Sequence, residues 1–221
     1  MNNKLLVEIA NHHFWLSPDK LMYWEEASAI IASDLHFGKT AHFRKAGIAV
    51  PSSILSDDLD RLTKSIAAFH AKQLIVVGDM FHSIANNELD IFLEFRASYA
   101  ELNIHLILGN HDILPMSWYE QAGINTHHHY YLSEPFCFCH DPNESLLIEN
   151  PSILHQFSGH LHPSVYIKTG SRQTMRFPCF WVGKTMTVLP AYSKFTGAIA
   201  INPGKEDKVY AVVNHSILQV Q

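Results

Sequence analysis

Four short stretches hold most of the side chains able to do chemistry. "SDLHF" carries Asp34 and His36, "VGDMFH" carries Asp79 and His82, "LGNHD" carries Asn110, His111 and Asp112, and "SGHLH" carries His160 and His162. A solitary His140 stands between the last two, in "CFCHDP". Carboxylate, amide and imidazole groups without a thiolate make a mixed oxygen and nitrogen donor set. Such a set suits Mn²⁺, Fe or Zn²⁺ in a reactive site better than a structural zinc. Asp34, His36, Asp79, Asn110, His140, His160 and His162 supply enough donors for two five- or six-coordinate ions sharing one bridging carboxylate. Asp34 and His36 stand two apart, as do His160 and His162, and in an extended segment that spacing points both side chains to one side. Taken singly, each motif has a bland reading. A lone His is more often a surface or satisfied core residue, as read here for "HHH" at 127–129 and "HH" at 12–13; "GD" is an ordinary turn, and "GNHD" caps a helix. Those readings leave unexplained the ordered series D-x-H, G-D, G-N-H-D, a solitary His and G-H-x-H.

The elements that must position these residues are legible around them. "KLLVEIA", "HFWLS" and "KLMYWEE" read as short strands of a hairpin or meander. The apolar run in "SAIIASDLHFGK" stops at Asp34. In "PSSILSDDLDRLTKSIAAFH", Ile54, Leu55, Leu59, Leu62, Ile66 and Phe69 recur at helical spacing. "QLIVVGDMFH" is a buried strand with a polar end, "NELDIFLEFRASYAEL" an amphipathic helix, and "NIHLILGNHD" a third strand of the same design. Strand and helix in alternation predict a parallel sheet with helical crossovers. In such sheets ligands sit outside the carboxyl ends of the strands, so the three polar strand ends should converge. From "HHHYYLSEPFCFCHDP" onward short strands separated by Gly, Pro and Asn predict a β-rich half, including "GAIAIN", "KVYAVVN" and "SILQV". The fold class expected is α/β, two packed sheets with helices outside, as a single domain over residues 1–221.

Composition narrows the class. Hydrophobic residues make up 47% and charged residues 17% of the chain, as in an ordered protein with a large core. The net charge of −5 and the absence of a basic tract show no broad nucleic-acid footprint, although bound divalent cations would reverse the local sign at a carboxylate-lined site. Cys137, Cys139 and Cys179 form no zinc-ribbon spacing and are a poor disulfide framework, which fits a reducing cytoplasm. No run is long enough to span a bilayer, and nothing in the sequence specifies an oligomeric state. Serine hydrolase chemistry is not indicated, since G-x-S-x-G is absent. The P-loop look-alikes "FGKT" and "VGKT" fail because Ser33 and Pro178 stand where the first glycine must be.

The ordered motif set resembles the calcineurin-like metallophosphoesterases, over most of the chain. The resemblance implies a four-layer α/β/β/α sandwich of two mixed sheets flanked by helices. It places Asp34, His36, Asp79 and His162 on one ion, with Asp79 bridging to a second held by Asn110, His140 and His160. His111 matches the family's catalytic histidine, with Asp112 beside it to orient the imidazole. After "GD" many members have an acidic residue, whereas this chain has "GDMFH", which leaves the role of His82 open. "SDLHFGKTAHFRKAGIAVP" and "RFPCFWVGKTMTVLPAYSKFTGA" look like the bacterial ligase-associated DNA damage response endonucleases, with "FTGA" where a double glycine is expected.

The function implied is a phosphodiesterase or nuclease of DNA repair with two divalent ions, most naturally Mn²⁺, with Fe or Zn²⁺ as alternatives. A metal-bridging hydroxide would attack phosphorus in line. DNA is the implied substrate, and a DNA ligase and a helicase-like protein are implied partners. Lys39, His42, Arg44 and Lys45, and separately Arg176 and Lys194, are candidates to hold a substrate phosphate, against the alternative of a solvated charge cluster. Trp15, Trp24, Trp118 and Trp181 are candidates to stack bases, against the alternative of core packing. The competing functions are a small-molecule phosphodiesterase or nucleotidase, and a non-catalytic scaffold, which the presence of His111 disfavours.

Overall fold

Alternation of apolar and polar residues at the N-terminus folds as an antiparallel meander, and continuous apolar runs after it fold as parallel strands. The computed structural model describes residues 3–39, 54–82, 86–143, 150–169, 173–194 and 196–221. Strands β1 (Leu5–Ile9), β2 (His12–Ser17), β3 (Leu21–Trp24) and β4 (Ala29–Ala32) pair in sequence, with Val7 opposite Phe14 and Leu16 opposite Met22. Strands β5 (Gln73–Val77), β6 (Asn103–Ile107) and β7 (Ile124–His127) continue the sheet in parallel, giving the order β1-β2-β3-β4-β5-β6-β7. Helices α1 (Ile54–Phe69), α2 (Asn86–Ser98) and α3 (Met116–Gln121) lie between those parallel strands in the chain, as crossover connections require.

The second half builds a mixed sheet from β8 (Tyr130–Ser133), β9 (Phe136–Cys139), β10 (His155–Ser158), β11 (Pro163–Thr169), β12 (Gln173–Val182), β13 (Met186–Val188) and β14 (Ile199–Ala200). Their order is β14-β11-β12-β13-β10-β9-β8, with β15 (Lys208–Val213) on β12 and β16 (Ser216–Gln219) on β15.

Because successive strand residues face opposite sides, β4, β5 and β6 feed two cores at once. Ile30, Leu74, Val76, Ile104 and Leu106 meet Leu55, Leu59, Leu62 and Ile66 of α1, Phe92 and Phe95 of α2 and Tyr119 of α3. Ile31, Ile75, Val77 and Ile107 turn the other way, toward Phe136, Phe138, Phe157 and Phe180 of the second sheet. Aromatic rings dominate that inter-sheet layer: Phe138 stacks on Phe157 with centroids 5.3 Å apart, and Trp24 meets Phe136 edge-on at 4.9 Å. None of the three cysteines is in a disulfide, and all are buried. No helix among the described residues is long and apolar enough to cross a membrane.

Two packed mixed sheets with flanking helices are therefore present, as expected. The helices α1 to α3 cover the first sheet; among the described residues no helix follows β7, so a helical layer on the second sheet is not part of what is described. The six-residue α3 went unread in the sequence because so short a segment shows no period. "GAIAIN" forms only the two-residue β14, which pairs with the start of β11.

His155, 2% exposed, sits where β10 meets β13 with Nε2 2.8 Å from the Thr187 hydroxyl. Burial pushes its pKa down to about 4, against a weaker opposing contribution from the Lys184 backbone. Depression below the unfolded value means that stability is present above the ordinary histidine range and is lost as pH falls toward the folded value. Between about pH 7 and about pH 5 this group should remove about 2 kcal/mol. Urea unfolding at both pH values should show a smaller loss in His155→Gln than in the parent; equal losses would mean that His155 has an ordinary affinity for protons.

Candidate metal centre

Beyond Ala32 and Val77 the two neighbouring parallel strands do not simply fray. Their continuations stay bonded: Asp34 N donates to Gly78 O (3.1 Å), His36 N to Asp79 O (2.9 Å) and Phe37 N to Met80 O (2.9 Å). The "DLHF" and "GDMF" segments thus run as a register-locked pair, with Asp34 fully buried, His36 4% exposed and Asp79 2% exposed. Asp34, His36, Asp79, His160 and His162 all have positive φ, between 47° and 64°. That corrects the expectation of extended D-x-H and H-x-H segments. The pairs converge because each ligand sits in a left-handed turn, a conformation that non-glycine residues adopt at a cost and that concentrates at functional sites.

Two groups of ligand atoms result, each with members within 4.8 Å of one another: Asp34, His36 and His162, and Asp34, Asp79 and His140. Asp34 is common to both groups. Asp79 Oδ1 accepts the His111 backbone N–H at 2.9 Å, while its Oδ2 faces His140. Asn110 and His160 join the second group, with Asn110 Oδ1 3.3 Å and His160 Nδ1 3.2 Å from His140 Nε2.

Proton bookkeeping shows what such a cluster needs. His140 Nδ1 lies 3.2 Å from the Val77 carbonyl, which can only accept, so this nitrogen carries the ring proton and Nε2 is bare. Around that bare nitrogen stand Asp79 Oδ2 at 3.6 Å, Asn110 Oδ1 and His160 Nδ1. His162 repeats the arrangement. Its Nδ1 faces the Gly197 carbonyl at 3.0 Å, leaving a bare Nε2 3.0 Å from Asp34 Oδ1. Neither that Asp34 oxygen nor either ring nitrogen of buried His36 has a hydrogen-bond partner; the close His162 approach lacks hydrogen-bond alignment. Acceptor atoms gathered with too few donors to satisfy them fit bound cations, and the ligand set is the one divalent metals take.

The proton affinities agree. Burial drives the pKa of His36 down to about 3, which keeps the imidazole neutral and able to coordinate. Burial opposes charge on Asp34, but His162, His140 and Ser33 outweigh it and hold its carboxyl below the usual range. Burial likewise opposes charge on His162, yet Asp34 and the Gly197 carbonyl raise its pKa.

The motif glycines make room for this convergence. A Cβ on Gly78, whose φ is +81°, would lie 1.8 Å from His140 Nδ1, and one on Gly109 would lie 2.2 Å from Asp79 Oδ1.

His111 is half-buried at the rim, its ring centroid 4.2 Å from His82 and 5.6 Å from His36. Asp112 does not orient that ring. Its oxygens accept the backbone N–H groups of Phe81 and Gly109, each at 2.9 Å, which ties the "GD" and "GNHD" loops together. Burial pushes its pKa up to about 7 against those two hydrogen bonds. Burial lowers the pKa of Lys39 against the opposing pull of the nearby Asp79 and Asp34 carboxylates. Arg44, with His42 and Lys45, lies outside the described residues.

The tryptophans have structural partners: Trp24 is in the inter-sheet core, Trp118 packs on Phe81, and Trp15 and Trp181 donate to Glu25 and Asp207. Sequence reading missed His128, which lines an open cleft of ≈ 460 Å³ with Asn110, His140 and His160. It also missed Ser33, whose hydroxyl donates to Asp34 Oδ2. Neither had a signal in spacing, since His128 lies in a His run and Ser33 precedes a motif.

Residues 28–164 match the calcineurin-like phosphoesterase family. A nuclease from Pseudomonas putida, called MPE, is similar in structure with a TM-score of 0.80 and 25% identity, over 99% of this chain and 100% of that one. A phosphoesterase from E. coli, Yfce, aligns with a TM-score of 0.45 and 15% identity over 87% of this chain and 97% of that one. No curated protein matches the chain.

Gly159, which precedes His160, offers a direct test of the crowding. A Cβ there would lie 1.7 Å from Ser33 Oγ, 2.7 Å from Asp34 Oδ2 and 2.9 Å from the Val77 carbonyl. Gly159→Ala should weaken Mn²⁺ binding by roughly 10- to 100-fold, the usual cost of disturbing residues that orient metal ligands. Titration calorimetry on chelator-stripped protein measures it; parent-like affinity would show that the loop yields without moving the ligands.

Proposed function

Since the chain belongs to the calcineurin-like phosphoesterase family and is a metal-dependent phosphoesterase, we propose that it is a dinuclear phosphodiesterase acting on DNA. The observation that carries this reading is the pair of ligand groups sharing Asp34, with Asn110 and His160 completing the second. The likeness to a nuclease over nearly the whole chain supports nucleic acid as the substrate class.

Divalent ions held by Asp34, His36, Asp79, Asn110, His140, His160 and His162 would supply Lewis acidity toward solvent and toward the phosphoryl oxygens. The chain's own residues do the rest. Val77 and Gly197 carbonyls fix the tautomers of His140 and His162, so that bare nitrogens face inward. Asp79 and His82 set the backbone and ring of His111, which hydrogen-bonds the phosphoryl group or gives a proton to the departing alkoxide. Lys39 adds positive charge beside the carboxylates. Mn²⁺ is the proposed metal. The loop resemblance adds a place in cytoplasmic DNA repair alongside a DNA ligase and a helicase-like protein.

The second reading is a small-molecule phosphodiesterase or nucleotidase, favoured by the acidic net charge of −5. Salt separates the two, because affinity for DNA falls steeply with added salt and that for a small diester much less.

Assay of phosphomonoesters, bis-p-nitrophenyl phosphate, RNA, and single-stranded and duplex DNA should show Mn²⁺-dependent, EDTA-sensitive cleavage of DNA. Activity confined to monoesters would overturn the proposal. His111→Ala should keep its metal while turnover falls about 10²- to 10⁴-fold, whereas Asp79→Ala should lose metal and turnover together. Parent-like hydrolysis by both variants would remove these residues from the reaction.

A further inference from the structure

On the far side of His162 from the ligand cluster lies a pocket of ≈ 220 Å³ lined by Lys20, Arg176 and Lys194, together with Ser193 and Gly197. Among the described residues no carboxylate lines it, in a chain with 21 acidic and 16 basic residues. The three cations come from distant stretches: Lys20 from the turn between β2 and β3, Arg176 from β12, and Lys194 from the segment after β13. None of the three makes an ion pair among the described residues.

Two of the cations are held in place by backbone carbonyls rather than by acids. Lys20 Nζ donates to Ser193 O at 2.6 Å, and Arg176 Nη1 to Ala198 O at 3.0 Å. Beneath them Arg61, paired with Asp58 at 2.9 Å, donates to Tyr192 O at 2.7 Å and lies over the Tyr192 ring. Segment 192–193 is thus clamped from two sides, and it is tied to the metal-centre strand by Tyr192 N to Ser33 O (2.8 Å) and Ser193 N to Asp34 O (3.3 Å). His162 belongs to both places, with Nε2 toward Asp34 and its ring edge on the pocket wall. Burial, reinforced by Arg61 and Lys194, pushes the Lys20 pKa down to about 7 against the attraction of Asp58. A bound anion would relieve that.

We propose that this pocket is a second phosphate subsite, in which Lys20, Arg176 and Lys194 hold a substrate phosphate neighbouring the one cleaved at the ligand cluster. The proposal deepens the phosphodiesterase reading and rests on it. Its ligand chemistry is a phosphate oxyanion, supplied either by the next diester of a polynucleotide or by a terminal phosphomonoester.

The test compares d(TpT), which has one phosphate, with d(TpTpT) and d(pTpT), which have two, in the Mn²⁺-loaded enzyme. A second phosphate should lower KM about tenfold through charge-assisted contacts. The exposed double substitution Arg176→Ala, Lys194→Ala should shrink that advantage to within about twofold. Advantage with d(TpTpT) alone assigns the pocket to a neighbouring diester, and with d(pTpT) alone to a terminal monoester; both support the subsite. An advantage that survives the double substitution overturns it, as does the lack of any advantage in the parent. Should bis-p-nitrophenyl phosphate be cleaved and no oligonucleotide, the nuclease reading is what fails. Inhibition of that hydrolysis by thymidine 3′,5′-bisphosphate relative to thymidine 5′-monophosphate then decides the pocket: a preference lost in the double variant supports it, and a preference retained or never present overturns it.

Discussion

Burying carboxylates and bare imidazole nitrogens together is the constraint on which the rest of this structure depends. Asp34 is sealed from solvent and Asp79 nearly so, and moving such ions out of water costs several kcal/mol each unless charge and hydrogen bonds offset it. The protein supplies only part of the offset: Ser33 and the His160 N–H for Asp34, and the His111 N–H for Asp79. The remaining lone pairs face one another. Divalent cations turn this unfavourable assembly of acceptors into a favourable one, so metal affinity and local folding are linked at these loops.

The scaffold tolerates the arrangement because it is rigid in the two places that matter. The parallel ladder of β4 and β5 continues past the strands as backbone hydrogen bonds, which fixes Asp34, His36 and Asp79 relative to one another. The aromatic layer of Phe136, Phe138 and Phe157 against Ile75, Val77 and Ile107 fixes the second sheet on the first. His140, His160 and His162 are therefore delivered from the second half at set distances. Close-packed layers hold such geometry far better than mobile loops do.

Charge is distributed unevenly around that centre. Acidic groups lie at the ligand cluster, while Lys20, Arg176 and Lys194 gather beyond His162 around one small pocket. Overall negative charge is thus compatible with a phosphate-rich substrate, since local charge and bound metal govern the site.

How much of this could be read from the chain alone differs between levels. Hydrophobic period located β1 to β6, α1 and α2, because it reflects burial of one face or two and needs no partner to be specified. The run of motifs after apolar strands was enough to bring Asp34, His36, Asp79, Asn110, His140, His160 and His162 under consideration as one group. Their backbone conformation was not legible: two-residue spacing suggested extended strands, and left-handed turns produced the convergence instead. Asp112 was misassigned for a related reason, since adjacency to His111 in sequence says nothing of which N–H groups its oxygens meet. The sharing of Asp34 between both ligand groups, the placement of His128 in the cleft and the meeting of Lys20 with Arg176 and Lys194 were decided by packing of distant segments. Local pattern encodes which residues leave water; only the assembled sheets determine which of them meet.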